Sequence, residues 1–229
     1  MPLYRPSELQ AFLKGRGAKR SLSQNFLVDG NIVKKIVDTV PEGQEVLEIG
    51  PGPGVVTEEL IARGFTVTAV EKDHDLGQAL KRFPVEVHEG DICGYQLSKP
   101  VHVVGNLPYG ISKEICHWLI SQRAFITQAT LMVQREFAEK LQGKNALSIM
   151  MQYVFDLKIV AHVSPNCFWP RPKVTSSILV CTKRPPQITD EERFFAEVQS
   201  AFQHRRKKLK GDTRHVDELG VNEWIKKFL

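Results

Sequence analysis

Between residues 45 and 134, short β-branched apolar runs alternate with amphipathic stretches, and this alternation leaves few architectures open. Strands are predicted over 45–50 (E-V-L-E-I-G), 66–72, 85–91, 102–107 and 129–134, with helices over 55–64, 74–83, 111–121 and 135–142. Ile111, Ile115, Trp118 and Leu119, for example, recur at helical spacing. A strand followed by a helix and then another strand returns in the same direction, so the expected fold is α/β, with a mostly parallel sheet and helices on both faces. Upstream, Ile32, Val33, Ile36, Val37 and Val40 predict a helix over 31–40. Downstream, 157–163 and 174–181 read as two strands joined through a proline-rich loop, and they are expected to pair antiparallel. At 42% hydrophobic residues the chain has enough apolar material to cover both faces of such a sheet. The composition shifts at T-K-R-P-P-Q (182–187), which predicts a boundary between a domain over 1–187 and a small, basic helical domain over 188–229.

The first of these strands runs into Gly50-Pro51-Gly52-Pro53-Gly54. Glycines at a strand-to-helix turn let a ligand approach the backbone closely. A dinucleotide fingerprint requires G-x-G-x-x-G, but here the sixth position is Val55 and the glycines follow G-x-G-x-G, which counts against a nicotinamide enzyme. Glu71 ends the second strand, where a carboxylate can accept both ribose hydroxyls of a nucleoside held over the turn. Asp91 ends the third, within reach of that nucleoside's adenine amine. Without a pyrophosphate to bind, the helix after the turn needs no anion, which suits S-adenosylmethionine. Glu48 would then lie near the sulfonium or amino group, or else cap a neighbouring backbone.

The fourth strand ends in Asn106-Leu107-Pro108-Tyr109. An exocyclic adenine amine is a poor nucleophile because its lone pair is delocalised into the ring. Acceptors on both amine hydrogens favour a pyramidal nitrogen, and the Asn106 side-chain oxygen and Leu107 carbonyl are of that type. Pro108 stiffens the loop, and Tyr109 offers a face on which a base can stack.

In order along the chain stand S-Q-N-F-L-V-D (23–29), E-I-G-P-G-P-G (48–54), V-E-K-D (70–73), G-D (90–91) and N-L-P-Y (106–109). M-V-Q-R-E-F-A-E-K-L (132–141), F-W-P-R-P-K-V-T-S-S (168–177) and F-Q-H-R-R-K-K-L (202–209) follow. This ordered set resembles the ribosomal RNA adenine dimethyltransferase family, and within it the small-subunit dimethyladenosine transferases. The resemblance implies a Rossmann-like methyltransferase fold with a seven-stranded sheet, S-adenosyl-L-methionine as cofactor, and N6,N6-dimethylation of two adjacent adenosines in a hairpin loop near the 3′ end of small-subunit ribosomal RNA. It implies that Asn25 and Leu27 close over the cofactor, with Gly50, Gly52, Glu71, Asp91 and Asn106 at cofactor-binding positions, and that Phe168 and Tyr109 sandwich the target base. The family's RNA-facing helix corresponds to the basic run that includes Arg205, Arg206, Lys207 and Lys208; Arg171 and Lys173 flank a proline nearby. Three features depart from the family pattern: Gly110 follows N-L-P-Y where asparagine is usual, the segment after Leu141 is short, and the C-terminal lobe is curtailed to 190–229. A macrolide-resistance type methyltransferase of large-subunit RNA shares most of these motifs. A non-catalytic assembly or transcription factor on the same fold is the alternative of another class.

A formal net charge of +5 agrees with a polyanionic partner, expected to be small-subunit RNA within a pre-ribosomal particle. The four cysteines, Cys93, Cys116, Cys167 and Cys181, form no Cys-x-x-Cys pair, so neither a metal nor a redox motif is expected. The N-terminal residues lack the apolar core of a signal peptide, and no apolar run approaches the ~20 residues of a membrane helix. A cytoplasmic, monomeric protein without membrane contact is expected.

Overall fold

In the parallel half of the molecule each strand's side chains alternate between two apolar layers, so both faces must be covered. The computed structural model describes residues 24–203 and 214–229, together with Ser7, Leu9 and Ala11. After a short strand β1 (Phe26–Leu27) comes helix α1 (Gly30–Val37), followed by β2 (Glu45–Ile49), α2 (Val55–Ala62), β3 (Thr66–Glu71), α3 (His74–Leu80) and β4 (Glu86–Glu89). Next are β5 (Val101–Asn106), α4 (Ser112–Ser121), β6 (Ile126–Gln134), α5 (Arg135–Leu141), α6 (Ala146–Val154) and β7 (Phe155–Val163). The chain ends through β8 (Phe168–Trp169), β9 (Ser176–Lys183), α7 (Glu191–Phe202) and α8 (Val221–Lys226).

Seven strands form one sheet in the order β4-β3-β2-β5-β6-β9-β7. The pairs from β4 to β6 are parallel, and β9 pairs antiparallel with both β6 and β7. The predicted antiparallel pairing of the last two strands is therefore present, with β9 inserted between β6 and β7. On one face Leu47, Ile49, Val103, Leu131 and Val133 join the cluster containing Ile115 and Leu119 of α4 and Met151 of α6. On the other, Val46, Val104, Met132 and Ile178 pack with Val33, Ile36 and Val37 of α1 and Leu60 of α2. Asp29 caps α1 by accepting from the backbone N–H groups of Asn31 and Ile32.

Two elements depart from the sequence reading. α6 occupies the segment after the short loop, where no helix was predicted; seven of its residues are buried, so its polar stripe is too narrow to give amphipathic spacing. Phe26–Leu27, just before α1, forms β1, where no strand was predicted, and it pairs antiparallel with β8 in a separate two-stranded sheet. The helices beyond residue 188 share the larger apolar cluster: Phe194, Val198, Phe202 and Trp224 pack in it alongside Leu119 and Met151. Tyr153 ties the connection, its hydroxyl donating to Glu191 (2.9 Å) and accepting from the N–H groups of Gln187 and Ile188. Among the described residues no helix is long and apolar enough to cross a membrane.

His102, in β5, is fully buried; its Nε2 lies 3.1 Å from the Thr130 hydroxyl, and its Nδ1 has no partner. Burial lowers its pKa from 6.5 to about 4. The fold therefore holds the neutral ring, and proton uptake favours the unfolded chain. This contribution to stability is complete above pH 6.5 and is lost as pH falls towards 4, by about 3 kcal/mol. Urea melts of the wild type and of His102→Asn across this window should show the steeper loss in the wild type. Parallel profiles would remove His102 as the cause.

Candidate active site

The sheet reverses its winding between β2 and β5, and a ligand crevice forms at the carboxyl ends of strands on either side of such a switch point. A cavity of about 330 Å³ opens there, within the range of small-molecule sites. Its floor is Ile49, Gly50 and Gly52 from the turn after β2, and one wall is Val70, Glu71 and Leu76. Gly90, Asp91 and Ile92 close one end, and Asn106 to Ile111 form the other. Gln24, Asn25 and Phe26 lie along its edge.

The turn is shaped by one carboxylate. Gly52 has φ +59°, and its N–H donates to Glu71 Oε2 (2.9 Å). A Cβ at Gly52 would come within 3.0 Å of the Phe26 ring, so glycine is required both by conformation and by the ring lying over it. Glu71 Oε1 accepts from the Asp73 N–H (2.8 Å). Burial raises the Glu71 pKa, against the opposing effect of these two amides. The carboxylate thus stands at the cavity wall with its orientation fixed. Asp91 behaves oppositely: its Oδ2 pairs with Lys72 (2.8 Å), its Oδ1 accepts from the Cys93 N–H (2.9 Å), and its pKa is lowered mainly by Lys72. Glu48 is not part of the cavity lining. It is 2% exposed beneath the turn, where it accepts from the Thr57 hydroxyl (2.6 Å), and burial raises its pKa to about 7. It therefore does not line the ligand space but caps the first turn of α2, accepting from both the hydroxyl and the backbone N–H of Thr57.

At the opposite end, the Asn106 Nδ2 donates to the Asn25 carbonyl (2.8 Å), which fixes the amide plane and leaves Oδ1 as the acceptor. The Leu107 N–H donates to the Met132 carbonyl (3.0 Å), while the Leu107 side chain is buried. Its methyl would lie only 2.7 Å from a Cβ at position 105, so Gly105 makes room for that anchor. The Pro108 carbonyl accepts from the Ile111 N–H (3.2 Å) and the Ser112 hydroxyl (3.3 Å), tying the loop to the start of α4. Tyr109 is held at its far end by a 2.6 Å hydrogen bond between its hydroxyl and that of Ser176 in β9.

The strap at β1 divides the expected residues. Strand alternation turns Phe26 towards the cavity and Leu27 away from it, into the cluster with Val33 and Ile36. Leu27 therefore stands behind the lining, and Phe26 occupies the place expected for it. Across the two-stranded sheet Leu27 pairs with Phe168, which shares that buried cluster and is 3% exposed. Phe168, expected against the target base, is instead a core residue, because its strand neighbour Trp169 takes the outward direction and packs beside Phe26. Arg171 and Lys173 are exposed on the loop between β8 and β9. Arg205, Arg206, Lys207 and Lys208 lie outside the described residues. Gln24, Leu76 and Ile92 line the cavity without having been singled out from sequence, and no spacing in the chain marks them. Among the described residues no cluster of His, Cys, Asp and Glu could hold a metal.

The family model "Ribosomal RNA adenine dimethylase" matches residues 15–227. The chain is 38% identical to the ribosomal RNA small subunit methyltransferase A of Protochlamydia amoebophila, over 94% of this chain and 85% of that protein. Among solved structures it resembles a dimethyladenosine transferase from Plasmodium falciparum, with TM-score 0.72 and 27% identity over 80% of this chain and 73% of that one. It also resembles the 23S rRNA methyltransferase ErmE, with TM-score 0.73 and 28% identity over 89% of this chain and 98% of that one. With a cavity of about 330 Å³ at the switch point and an Asn-Leu-Pro-Tyr loop in its lining, the chain belongs to the ribosomal RNA adenine dimethylase family.

Proposed function

We propose that this protein transfers methyl groups from S-adenosyl-L-methionine to N6 of two adjacent adenosines, two to each, in a 3′-terminal hairpin loop of small-subunit ribosomal RNA, acting on a pre-ribosomal particle. The observation that carries this reading is the anchored Asn106 amide: its nitrogen is committed to Asn25, which leaves its oxygen as an acceptor, and Asn106 and Leu107 both line the cavity. The pair accepts both hydrogens of an exocyclic amine and favours a localised lone pair on nitrogen. Tyr109, held by Ser176, supplies a preoriented ring for stacking. Phe168 acts from behind the strap, buttressing Leu27.

The remaining lining fits the methyl donor. Glu71 has a lone pair on each oxygen beyond those used by Gly52 and Asp73, which suits the two ribose hydroxyls. Val70, Leu76 and Ile92 offer an apolar slot for the adenine, with Asp91 at its edge. Gly50 and Gly52 let the chain of the donor lie against backbone, and Asn25 closes the slot from the strap. When bound, the donor supplies a methyl group made electrophilic by its sulfonium. Arg171, Lys173 and the basic run Arg205, Arg206, Lys207 and Lys208 are assigned to RNA phosphates, which makes binding fall steeply with salt. We read the protein as a cytoplasmic monomer. The resemblance to ErmE keeps a large-subunit target in view; the F-x-P-x-P-K-V-x-S segment at 168–176 and the small-subunit relative favour the small subunit.

Unmethylated small subunits incubated with protein and methyl donor should gain two methyls on each of two neighbouring adenosines, read by mass spectrometry of RNA fragments. Methylation of large-subunit RNA alone, or of neither RNA, would overturn the assignment. Asn106→Ala should keep donor affinity within a few-fold and lower turnover by about two orders of magnitude, as expected for a lost transition-state contact. Near-normal turnover would remove Asn106 from the chemistry. Glu71→Gln should act on the other half of the site, because its amide cannot accept from Gly52 and Asp73 at once. Calorimetry should show donor affinity reduced about tenfold to hundredfold, and an unchanged affinity would place the ribose elsewhere.

A further inference from the structure

A second cleft, of about 360 Å³, lies at the carboxyl end of β6, lined by Gln134, Arg135, Glu136, Glu139, Val174 and Thr175. Its position relative to the first cavity follows from strand register. Asn106 pairs with Met132, and Gln134 stands one strand repeat further, about 7 Å along β6. Gln134 in turn pairs with Ser176, the residue that holds the Tyr109 hydroxyl. The cleft and the catalytic mouth are therefore neighbours across the Tyr109–Ser176 contact. The cleft is built by the two segments, M-V-Q-R-E-F-A-E-K-L and F-W-P-R-P-K-V-T-S-S, whose middles the donor and acceptor chemistry leaves unused.

The lining has the makings of a nucleobase site. Val174 is 39% exposed, one of two large apolar side chains exposed among the described residues, and the other is the terminal Leu229. Arg135 is held by Glu139 through Nε (2.7 Å), which fixes the guanidinium plane and leaves both Nη groups to donate. Its backbone N–H donates to the Thr175 carbonyl (2.9 Å), which joins the two walls. Gln134 adds an amide that can both donate and accept. Two carboxylates in the lining, Glu136 and Glu139, disfavour a phosphate inside the cleft. The cations suited to phosphate, Arg171 and Lys173, are instead exposed on the loop leading to Val174. An apolar face, a fixed guanidinium and an amide edge, with cations outside, match an unstacked base whose backbone passes over the rim.

We infer that this cleft receives the base of the nucleotide next to the target adenosine, which makes Arg135 and Val174 specificity-determining residues. The inference rests on the proposed action upon adenosine in RNA. The test uses unmethylated small subunits reconstituted on RNA made abasic, in turn, at the position before or after the methylated pair. The wild type should lose about tenfold in kcat/KM on one of these RNAs. Arg135→Ala and Val174→Asp, both exposed and so expected to fold, should lose about as much on intact RNA and nothing further on that abasic RNA, with donor affinity unchanged. If the variants and the wild type lose equally on abasic RNA, or neither abasic position matters, the cleft does not read a base while the assigned reaction stands. If intact subunits are not methylated at all, the underlying reaction is wrong and the cleft assignment falls with it.

Discussion

One buried carboxylate organises the site. Glu71 accepts from Gly52 on one side and Asp73 on the other. Asp73 accepts from the Gln24 side chain (3.0 Å), and the next residue, Asn25, accepts from Asn106. A run of hydrogen bonds, continued through the peptide link between Gln24 and Asn25, thus passes from the glycine turn, through the end of β3 and the strap, to the loop that ends β5. The surfaces suited to the methyl donor and to the acceptor amine stand at its two ends. Because reaction rate depends on tenths of an ångström between the reacting atoms, tying both surfaces into one network matters more than the strength of any single bond in it. The cost is visible in the raised pKa of Glu71, where desolvation exceeds what two backbone amides return.

The sheet explains why these groups meet. Parallel strands deliver their carboxyl ends to one edge, so residues far apart in sequence, from Gly50 to Asn106, emerge side by side. The antiparallel tail adds what a purely parallel sheet would lack. β9 brings Ser176 up against the Tyr109 hydroxyl from the opposite chain direction, so the loop after β5 is gripped by Asn25 at its start and by Ser176 at its end. Gly110, where the family pattern has asparagine, follows immediately after a tyrosine already held at its hydroxyl, with Pro108 bonded forward to α4. The rigidity that this glycine could remove is supplied by those neighbours.

Much of this was legible in the residues, for a physical reason. Strand and helix signals from 31 to 134 are strong because each helix turns an apolar stripe to the sheet and the strands are apolar on both faces, and glycine and acidic positions at strand ends announce themselves by type. What was not legible depends on which way a side chain turns in a two-residue strand. Leu27 and Phe168 are apolar residues inside site-bearing motifs, yet they pair with each other in one apolar cluster while Phe26 and Trp169 turn the other way, towards Leu76. Nothing in composition separates Phe26 from Leu27; only the pairing of β1 with β8 does, and that contact joins residues far apart along the chain. α6 was missed for the opposite reason. It is buried nearly all round, and a helix without a polar face has no period to read.

The C-terminal residues were legible as helical and basic but not in how they attach. The composition shift at 182–187 predicts a domain boundary, and the contacts across it come from residues on both sides: Tyr153 bonds Gln187, Ile188 and Glu191, while Arg123 pairs with Glu191 and Glu192 (both 2.8 Å) and lies over the Phe195 ring. Phe194, Phe202 and Trp224 complete a core shared with α4 and α6. α4 begins directly after the Asn-Leu-Pro-Tyr loop, so that loop and the helix leading to the basic run rest on one set of apolar contacts.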